Sequence, residues 1–194
     1  MNSLIANLGK THGLERVITY SSKSPRPGEI DGVDYHFVTP QEFEQKIAQG
    51  FFLEWSGAYG NYYGSPKSVA DGLERGNSSI MILDRAGARV VAAQVPTAVL
   101  IWVTVPSLYI LRERLDARGT DSAQTIERRM ALAAAEIEDE EKRPIFHHHI
   151  VNDEREKALD ALIAIVLGTL DKNLAGNAQK ARSDRSMQDV QKSG

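Results

Sequence analysis

Apolar positions along this chain follow two different periods, and segments of the two kinds alternate. Two continuous apolar runs, Ser79–Asp84 and Ala98–Val105, are typical of strands that a parallel sheet buries on both faces. The segment between them, Ala86–Gln94, can form a crossover helix. Strands and helices that alternate in this way predict an α/β fold with a three-layer parallel sheet.

The rest of the pattern divides into helices, short strands and a tail. Apolar spacing and capping residues predict further helices, one ending near Gly13 and others over 41–49, 66–74, 107–117, 121–142 and 153–170. Short strands are predicted over 16–20, 35–38, 51–55, 58–63 and 147–151. The cluster of short strands at 35–63 interrupts the parallel pattern, which indicates an inserted small antiparallel subdomain. Residues 176–194 are polar, small and basic, so we expect a disordered tail there.

Composition narrows the class of protein. The 194 residues, 42% of them hydrophobic, are enough for one globular domain with a sizeable core. The net charge of -3 gives no whole-protein electrostatic case for binding nucleic acid or a membrane. The chain has no cysteine, which excludes disulfides, thiolate metal sites and cysteine nucleophiles, and makes a reducing cytosol the expected compartment. No apolar run approaches the roughly 20 residues that a membrane span needs.

Four side chains between residues 19 and 65 have the chemistry to bind a phosphate. Arg26 offers a planar guanidinium fork, and Lys23 adds a point charge three residues away. Tyr35 and Tyr63 can each donate a phenolic hydrogen bond to a phosphate oxygen. Arg26 alone would be interpreted as part of a charged loop, but the four residues together favour a binding site.

A carboxylate and a hydroxyl in the same region could recognise guanine. Guanine presents two adjacent N–H donors and one oxygen acceptor, so one carboxylate can accept from both donors while a hydroxyl serves the oxygen. Glu54 and Ser65 supply these groups. The alternative is that Glu54 is the polar residue of an alternating strand, and spacing alone would favour that alternative.

Residues 15–170 resemble guanylate kinase, the nucleoside monophosphate kinase that phosphorylates GMP with ATP. The resemblance rests on several segments in a fixed order: Ser-Pro-Arg-Pro-Gly-Glu, Gly-Val-Asp-Tyr-His-Phe-Val, Phe-Leu-Glu-Trp, Gly-Asn-Tyr-Tyr-Gly-Ser, Ala-Arg-Gly-Thr-Asp, Ile-Glu-Arg-Arg-Met and Ile-Val-Asn-Asp. It implies a P-loop-kinase-like sheet within a domain of residues 1–175, a GMP-binding subdomain over about 21–78 and a helical lid over about 112–130. It also implies seven contacts to GMP: Thr19, Lys23, Arg26, Tyr35, Glu54, Tyr63 and Ser65.

The resemblance further implies catalytic groups and a cofactor. Asp84 is expected near the reacting phosphates and a water of Mg²⁺, which would accompany the co-substrate ATP. Arg118 and Arg129 resemble the lid and core arginines that neutralise charge on the transferring phosphoryl group. Asn152 matches a position on the ATP side. No metal-ligand set within the protein is predicted.

The chain also departs from the family pattern. The family's P-loop, Gly-x-x-x-x-Gly-Lys-Ser/Thr, is not matched by Gly9-Lys10-Thr11, because Leu4 stands where the first glycine is required. We therefore expect the first central strand to be missing and the helix before Gly13 to be the one that follows a P-loop. The hypothesis is that Met1 is not the natural start or that the chain is a fragment. Lys23 replaces an expected arginine, and Ile82 replaces an acidic residue.

Two functions remain open at this point. One is guanylate kinase, and the other is an inactive guanylate-kinase-like module that binds a phosphorylated ligand in the GMP pocket. Absence of a P-loop favours the second for this chain. Retention of Glu54, Ser65, Asp84, Arg118 and Arg129 favours the first, because a peptide binder has no need of lid arginines. The acidic run Glu136–Glu141 is interpreted as a solvated helix face, and His147–His149 as a strand edge rather than a metal site.

Overall fold

A computed structural model describes residues 8–9, 12–58 and 60–172. The chain divides into two compact units, Met1–Asp153 and Glu154–Gly194. The second unit contributes one described helix, α6, over 155–172. The strands of the first unit are β1 Leu14–Arg16, β2 Tyr20–Ser21, β3 His36–Phe37, β4 Phe52–Ala58, β5 Asn61–Pro66, β6 Ser78–Ile80, β7 Ile101–Thr104 and β8 His148–Val151. Its helices are α1 Pro40–Ala48, α2 Ser68–Glu74, α3 Arg85–Gln94, α4 Leu108–Arg118 and α5 Ala123–Lys142.

Two parallel strand pairs form the α/β part of the fold. β1 pairs with β6, and β7 pairs with β8 in register from Ile101 opposite His148 to Thr104 opposite Val151. Each parallel partner follows a helical crossover, so the α/β class predicted from sequence is confirmed. Among the described residues, no ladder joins the two pairs into one sheet.

The expectation that the two long apolar runs form strands buried on both faces is wrong. β6 has only three residues, and Ile82 lies beyond its end with half of its surface exposed. Val103 in β7 is 52% exposed. Apolar sequence alone does not bury a strand, because burial also needs neighbours on both faces and along both edges.

A small four-stranded sheet is inserted between β1 and β6, as the clustered short strands predicted. Its strand order is β3-β2-β5-β4, with β5 antiparallel to both of its neighbours and β3 parallel to β2. Helix α1 covers this sheet through Phe43, which is fully buried. The Phe43 ring stacks on Phe52 and Tyr62 at centroid distances of 4.4 and 5.2 Å. These aromatic contacts fix α1 against the β4–β5 hairpin.

Local capping residues set the helix ends. Thr39 and Glu42 form a capping box at the start of α1, and Pro40 occupies its first turn. Ser107 and Ser122 cap α4 and α5 by accepting hydrogen bonds from backbone N–H groups three residues later. Gly119 ends α4 in the left-handed conformation, at φ 64°, which turns the chain toward α5.

Two tryptophans lie in different parts of the first unit. Trp55 on β4 is partly exposed and contacts the ring of Tyr62 at a centroid distance of 6.1 Å. Trp102 on β7 lies 4.8 Å from Phe146. Trp55 therefore belongs to the small sheet and Trp102 to the parallel pair β7–β8.

A buried ion-pair network corrects the interpretation of Glu136–Glu141 as a solvated face. Arg85, at the start of α3, donates to Glu140 at 3.0 Å and also pairs with Asp139, both on α5. Glu140 additionally accepts from the backbone N–H groups of Ile145 and Phe146. Asp139 and Glu140 turn toward Arg85, a buried cation that is distant in sequence, while Glu138 and Glu141 stay exposed.

Several sequence predictions lie outside the described residues. These are most of the helix before Gly13, the lysine and threonine of Gly9-Lys10-Thr11, and the tail over 176–194. The domain limits at 1–175 and the subdomain and lid limits stay predictions. Among the described residues, no helix combines the length and apolarity that crossing a membrane requires.

Candidate active site

A polar cleft of about 320 Å³ opens between the small sheet and the N-terminal part of α5. It collects side chains from the loop after β2, from β5, from the α4–α5 connection and from α5. The lining residues are Lys23, Ser24, Arg26, Asn61, Tyr63, Asp121, Thr125 and Arg129. We call it the arginine cleft. Four of the residues singled out from sequence, Lys23, Arg26, Tyr63 and Arg129, meet here.

Lys23 lies in an aromatic and acidic environment at one side of the arginine cleft. Its ammonium group pairs with the Glu29 carboxylate and lies 4.8 and 4.9 Å from the ring centroids of Tyr35 and Phe37. The Glu29 carboxylate also accepts from the backbone N–H of Arg26 at 2.7 Å. These contacts hold the loop 23–29 in a fixed shape, so Lys23 and Arg26 project from one local structure.

Three arginines converge on a single carboxylate, that of Asp121. Arg26 donates to Asp121 Oδ1 at 3.1 Å, Arg129 Nε lies 3.3 Å from Oδ2, and Arg118 pairs with the same Oδ2 atom. Burial acts to raise the pKa of Asp121, but the neighbouring guanidinium groups of Arg118, Arg129 and Arg26 outweigh it and leave the pKa lowered. The carboxylate is therefore ionised at neutral pH, and the cluster keeps an excess of positive charge.

Two tyrosines flank the cations. The rings of Tyr35 and Tyr63 contact each other edge to face at a centroid distance of 6.2 Å. Burial is the largest cause that raises the pKa of Tyr63, and the nearby Tyr35 adds to it. The Tyr63 hydroxyl therefore stays protonated at neutral pH and can donate a hydrogen bond.

Glu54 and Ser65 lie opposite each other in the β4–β5 register. Glu54 is 4% exposed and Ser65 is fully buried. Burial raises the pKa of Glu54, and the charge of Asp84 raises it further, whereas the hydroxyl and backbone of Ser65 lower it. No described cation pairs with Glu54, and Ser65 Oγ has no partner that meets full hydrogen-bond geometry. A buried carboxylate of this kind suits a neutral ligand that brings its own N–H donors.

Strand β5 contributes one residue to the Glu54–Ser65 pair and another, Tyr63, to the arginine cleft. Ser65 and Tyr63 are two residues apart on one strand, so their side chains leave the same face of the sheet. A single ligand can therefore contact the Glu54–Ser65 pair with one end and the arginine cleft with the other.

Asp84 connects this region to helix α3. Its Oδ1 accepts from the backbone N–H of Gly87 at 2.8 Å as the N-cap of α3, and its Oδ2 accepts from Ser56 Oγ at 2.5 Å. Gly87 also allows the approach of Glu54, because a Cβ atom there would lie 2.6 Å from Glu54 Oε2. The glycine is thus required by close packing rather than by its backbone angles.

Two of the predicted site residues, Thr19 and Asn152, have no described side-chain contact with either the arginine cleft or the group formed by Glu54, Ser65 and Asp84. Thr19 is buried beside β2, where its carbonyl accepts from the backbone N–H of His36. Asn152 follows β8; its backbone N–H donates to Thr104, and its carbonyl accepts from Arg114. Their proposed roles remain predictions.

Asp121 was not singled out by the sequence. It lies in the segment Ala-Arg-Gly-Thr-Asp, where a carboxylate three residues after Arg118 is the only local signal. Its contact with Arg26 spans 95 residues, which no local pattern shows.

Magnesium is the metal that the resemblance implies. Within 8–9, 12–58 and 60–172, no group of three or more His, Asp and Glu side chains could hold a metal ion by itself. Mg²⁺ needs no such cage, since it commonly keeps several waters and binds substrate phosphates with one or two carboxylates. Asp84 already accepts two hydrogen bonds, so its carboxylate fits a contact through a metal-bound water better than direct ligation.

The fold and this geometry define an α/β protein that carries a buried carboxylate–hydroxyl pair and a cationic cleft. Comparison with known proteins agrees with that class. The sequence model for guanylate kinase matches residues 1–167. The guanylate kinase of Symbiobacterium thermophilum is 40% identical over 182 residues, covering 93% of this chain and 80% of the relative. The guanylate kinase of Dechloromonas aromatica is 41% identical over 166 residues, covering 85% of this chain and 79% of the relative.

A solved structure gives the same result at the level of the fold. The crystal structure of guanylate kinase from Anaplasma phagocytophilum superposes with a TM-score of 0.68 at 27% identity. The match covers 86% of this chain and 80% of that one. The chain belongs to the guanylate kinase family. The family resemblance inferred from sequence and the P-loop-kinase-like α/β fold are thereby confirmed.

Proposed function

We propose that this chain acts as a guanylate kinase, transferring the γ-phosphoryl group of ATP to GMP to give ADP and GDP. The observation that carries the proposal is the buried Glu54–Ser65 pair on the same face as the arginine cleft. The family membership supports it independently.

The guanine base of GMP would bind at Glu54 and Ser65. The ionised Glu54 carboxylate accepts from the two adjacent N–H donors of guanine, and the Ser65 hydroxyl donates to its oxygen. Adenine lacks those donors, so it would leave the buried carboxylate without partners, which costs several kcal/mol for a charged group. The pair therefore selects guanine.

The phosphate of GMP would bind in the arginine cleft. Arg26 and Lys23 supply positive charge, and Tyr35 and Tyr63 donate phenolic hydrogen bonds. In the transfer step, a GMP phosphate oxygen forms a bond to the γ-phosphorus of ATP while the bond to the bridging oxygen of ADP breaks. Arg118 and Arg129 stabilise the charge on the transferring group. Mg²⁺, when bound to ATP, adds charge neutralisation at the β- and γ-phosphates.

Calorimetric titration with GMP and with AMP tests base recognition. We expect GMP to bind and AMP to bind at least about 100-fold more weakly, because the site built for N–H donors leaves Glu54 unpaired against adenine. Glu54→Gln should weaken GMP binding by about 10- to 100-fold. Glu74→Gln, the same change on an exposed residue at the end of α2, is the matched control. Equal binding of GMP and AMP would contradict the proposal.

A coupled assay for ADP formation from ATP and GMP tests the reaction itself. GMP binding with ADP formation supports the kinase. GMP binding without ATP binding or ADP formation would indicate a truncated kinase. Binding of neither nucleotide by the folded chain would favour the alternative, an inactive module that takes a phosphorylated ligand into the same pocket.

A further inference from the structure

Asp121 occupies a central position in the arginine cleft that its sequence neighbours do not explain. Its carboxylate is shared by Arg26 from the loop after β2, Arg118 at the end of α4 and Arg129 on α5. The Asp121 side chain is 6% exposed although it belongs to the short connection between the two helices. One carboxylate thus links three chain segments.

Arg26 cannot serve two anions without cost. A phosphate bound to the Arg26 guanidinium would lie about 5–6 Å from the Asp121 carboxylate, since each anion needs a hydrogen bond of about 2.8 Å to the same group. Two negative groups at that distance repel each other, and the repulsion is strengthened in a partly buried site. The carboxylate and an incoming phosphate therefore compete for Arg26.

We propose that Asp121 is the internal counter-ion of the GMP phosphate site. It holds Arg26, Arg118 and Arg129 together, and it gives up Arg26 to the phosphate when GMP binds. This inference rests on the proposed function, because it assigns the arginine cleft to the phosphate of GMP. Arg118 and Arg129 keep Asp121 as a partner, so the exchange gives up the ion pair between the loop after β2 and the α4–α5 connection and leaves that connection intact.

The exchange predicts how the affinity for a ligand depends on the charge of that ligand. Removal of the Asp121 carboxylate eliminates the competition, so a phosphorylated ligand should bind more tightly. A neutral nucleoside does not approach Arg26 with a negative charge, so its binding should not change. The pair GMP and guanosine therefore separates this role from a general effect on the pocket.

The experiment is a calorimetric titration of GMP and of guanosine into the full chain and its variants. Asp121→Asn should bind GMP about fivefold more tightly than the unmodified chain, with guanosine unchanged. Asp121→Glu, which restores the charge, should return GMP binding to within about twofold of the original value. Glu127→Gln is the matched control. Like Asp121, Glu127 pairs with an α4 arginine, here Arg112, but it lies on the exposed surface of α5.

The outcomes distinguish this proposal from the proposed function. GMP affinity that is unchanged or lower in folded Asp121→Asn overturns the counter-ion role while leaving the GMP site in place. Absence of GMP binding by the unmodified chain overturns both. If Asp121→Asn loses its cooperative thermal transition, Asp121→Ser removes the same charge with a smaller side chain, and the same affinity comparison decides.

Discussion

Arg85 on α3 and Glu140 on α5 form an ion pair at 3.0 Å in which both side chains are almost fully buried, at 4% and 6% exposure. Burial acts to raise the pKa of Glu140, but hydrogen bonds from the backbone of Phe146 and Ile145 and the pairing with Arg85 leave it lowered. The pair ties the start of α3, where Asp84 lies, to the end of the long helix α5.

Breaking this pair should destabilise the protein strongly. Glu140→Ala leaves Arg85 with less compensation in a buried position, and we expect the free energy of unfolding to fall by about 3–5 kcal/mol. Urea denaturation measures this free energy. Glu138→Ala is the control on the same helix, because Glu138 pairs with Lys142 at the surface and should change stability by less than about 1 kcal/mol. Similar losses in both variants would contradict a special role for the buried pair.

Gly87→Ala should disturb Glu54, the residue proposed to bind guanine. The new Cβ would lie 2.6 Å from Glu54 Oε2, so the carboxylate must move. We expect GMP affinity to fall by about 10-fold or more, measured by calorimetry. Gly72→Ala, another helical glycine without a close neighbour, should leave GMP binding unchanged and raise stability by up to about 1 kcal/mol. Retention of full GMP affinity in Gly87→Ala would show that GMP binding does not depend on the close packing of Glu54 against Gly87.

Arg118→Gln should affect the reaction more than the binding of GMP. If Arg118 stabilises charge on the transferring phosphoryl group, kcat should fall by about 10³-fold, whereas the Kd for GMP should change by less than about threefold. Steady-state kinetics and calorimetry separate the two. Arg112→Gln, on the same helix with its partner Glu127 at the surface, is the control and should keep its kcat. An equal loss in both variants would point to damage of α4 rather than to catalysis.

The raised pKa of Glu54 predicts opposite effects of pH on stability and on binding. Because the folded state holds the Glu54 proton more tightly than the unfolded state, this residue's contribution to stability falls as pH rises from the ordinary glutamate pKa of 4.5 through the raised folded-state pKa. GMP needs the ionised form, so its affinity should increase over the same interval. Glu54→Gln should therefore weaken both pH dependences, measured by thermal unfolding and by calorimetry across pH 4 to 8, roughly the range that spans the shift.

Residues near each other in sequence were predicted well, and distant partners were not. The capping box at Thr39 and the serine cap of α4 follow from local rules, so the ends of these helices agree with the structure within about two residues. The register that places Glu54 opposite Ser65 was not predicted, because the two strands were expected over 51–55 and 58–63, whereas β4 and β5 run over Phe52–Ala58 and Asn61–Pro66.

The errors have a common physical cause. Glu140 was expected in solvent because its partner Arg85 is 55 residues away, and an acidic run is normally exposed. Asp121 was not predicted as a site residue, because its contact with Arg26 depends on how the small sheet approaches α5. A buried charge is recognisable only when its counter-charge is known, and that is tertiary information.

The placement of the two tryptophans has a spectroscopic consequence. Trp55 is adjacent in sequence to Glu54 and partly exposed, while Trp102 packs against Phe146 in the other strand pair. Since the chain contains only these two, replacing Trp102 with phenylalanine leaves a single tryptophan, beside the proposed guanine end of the site. The emission of that variant would report events in the small sheet without any chemical label.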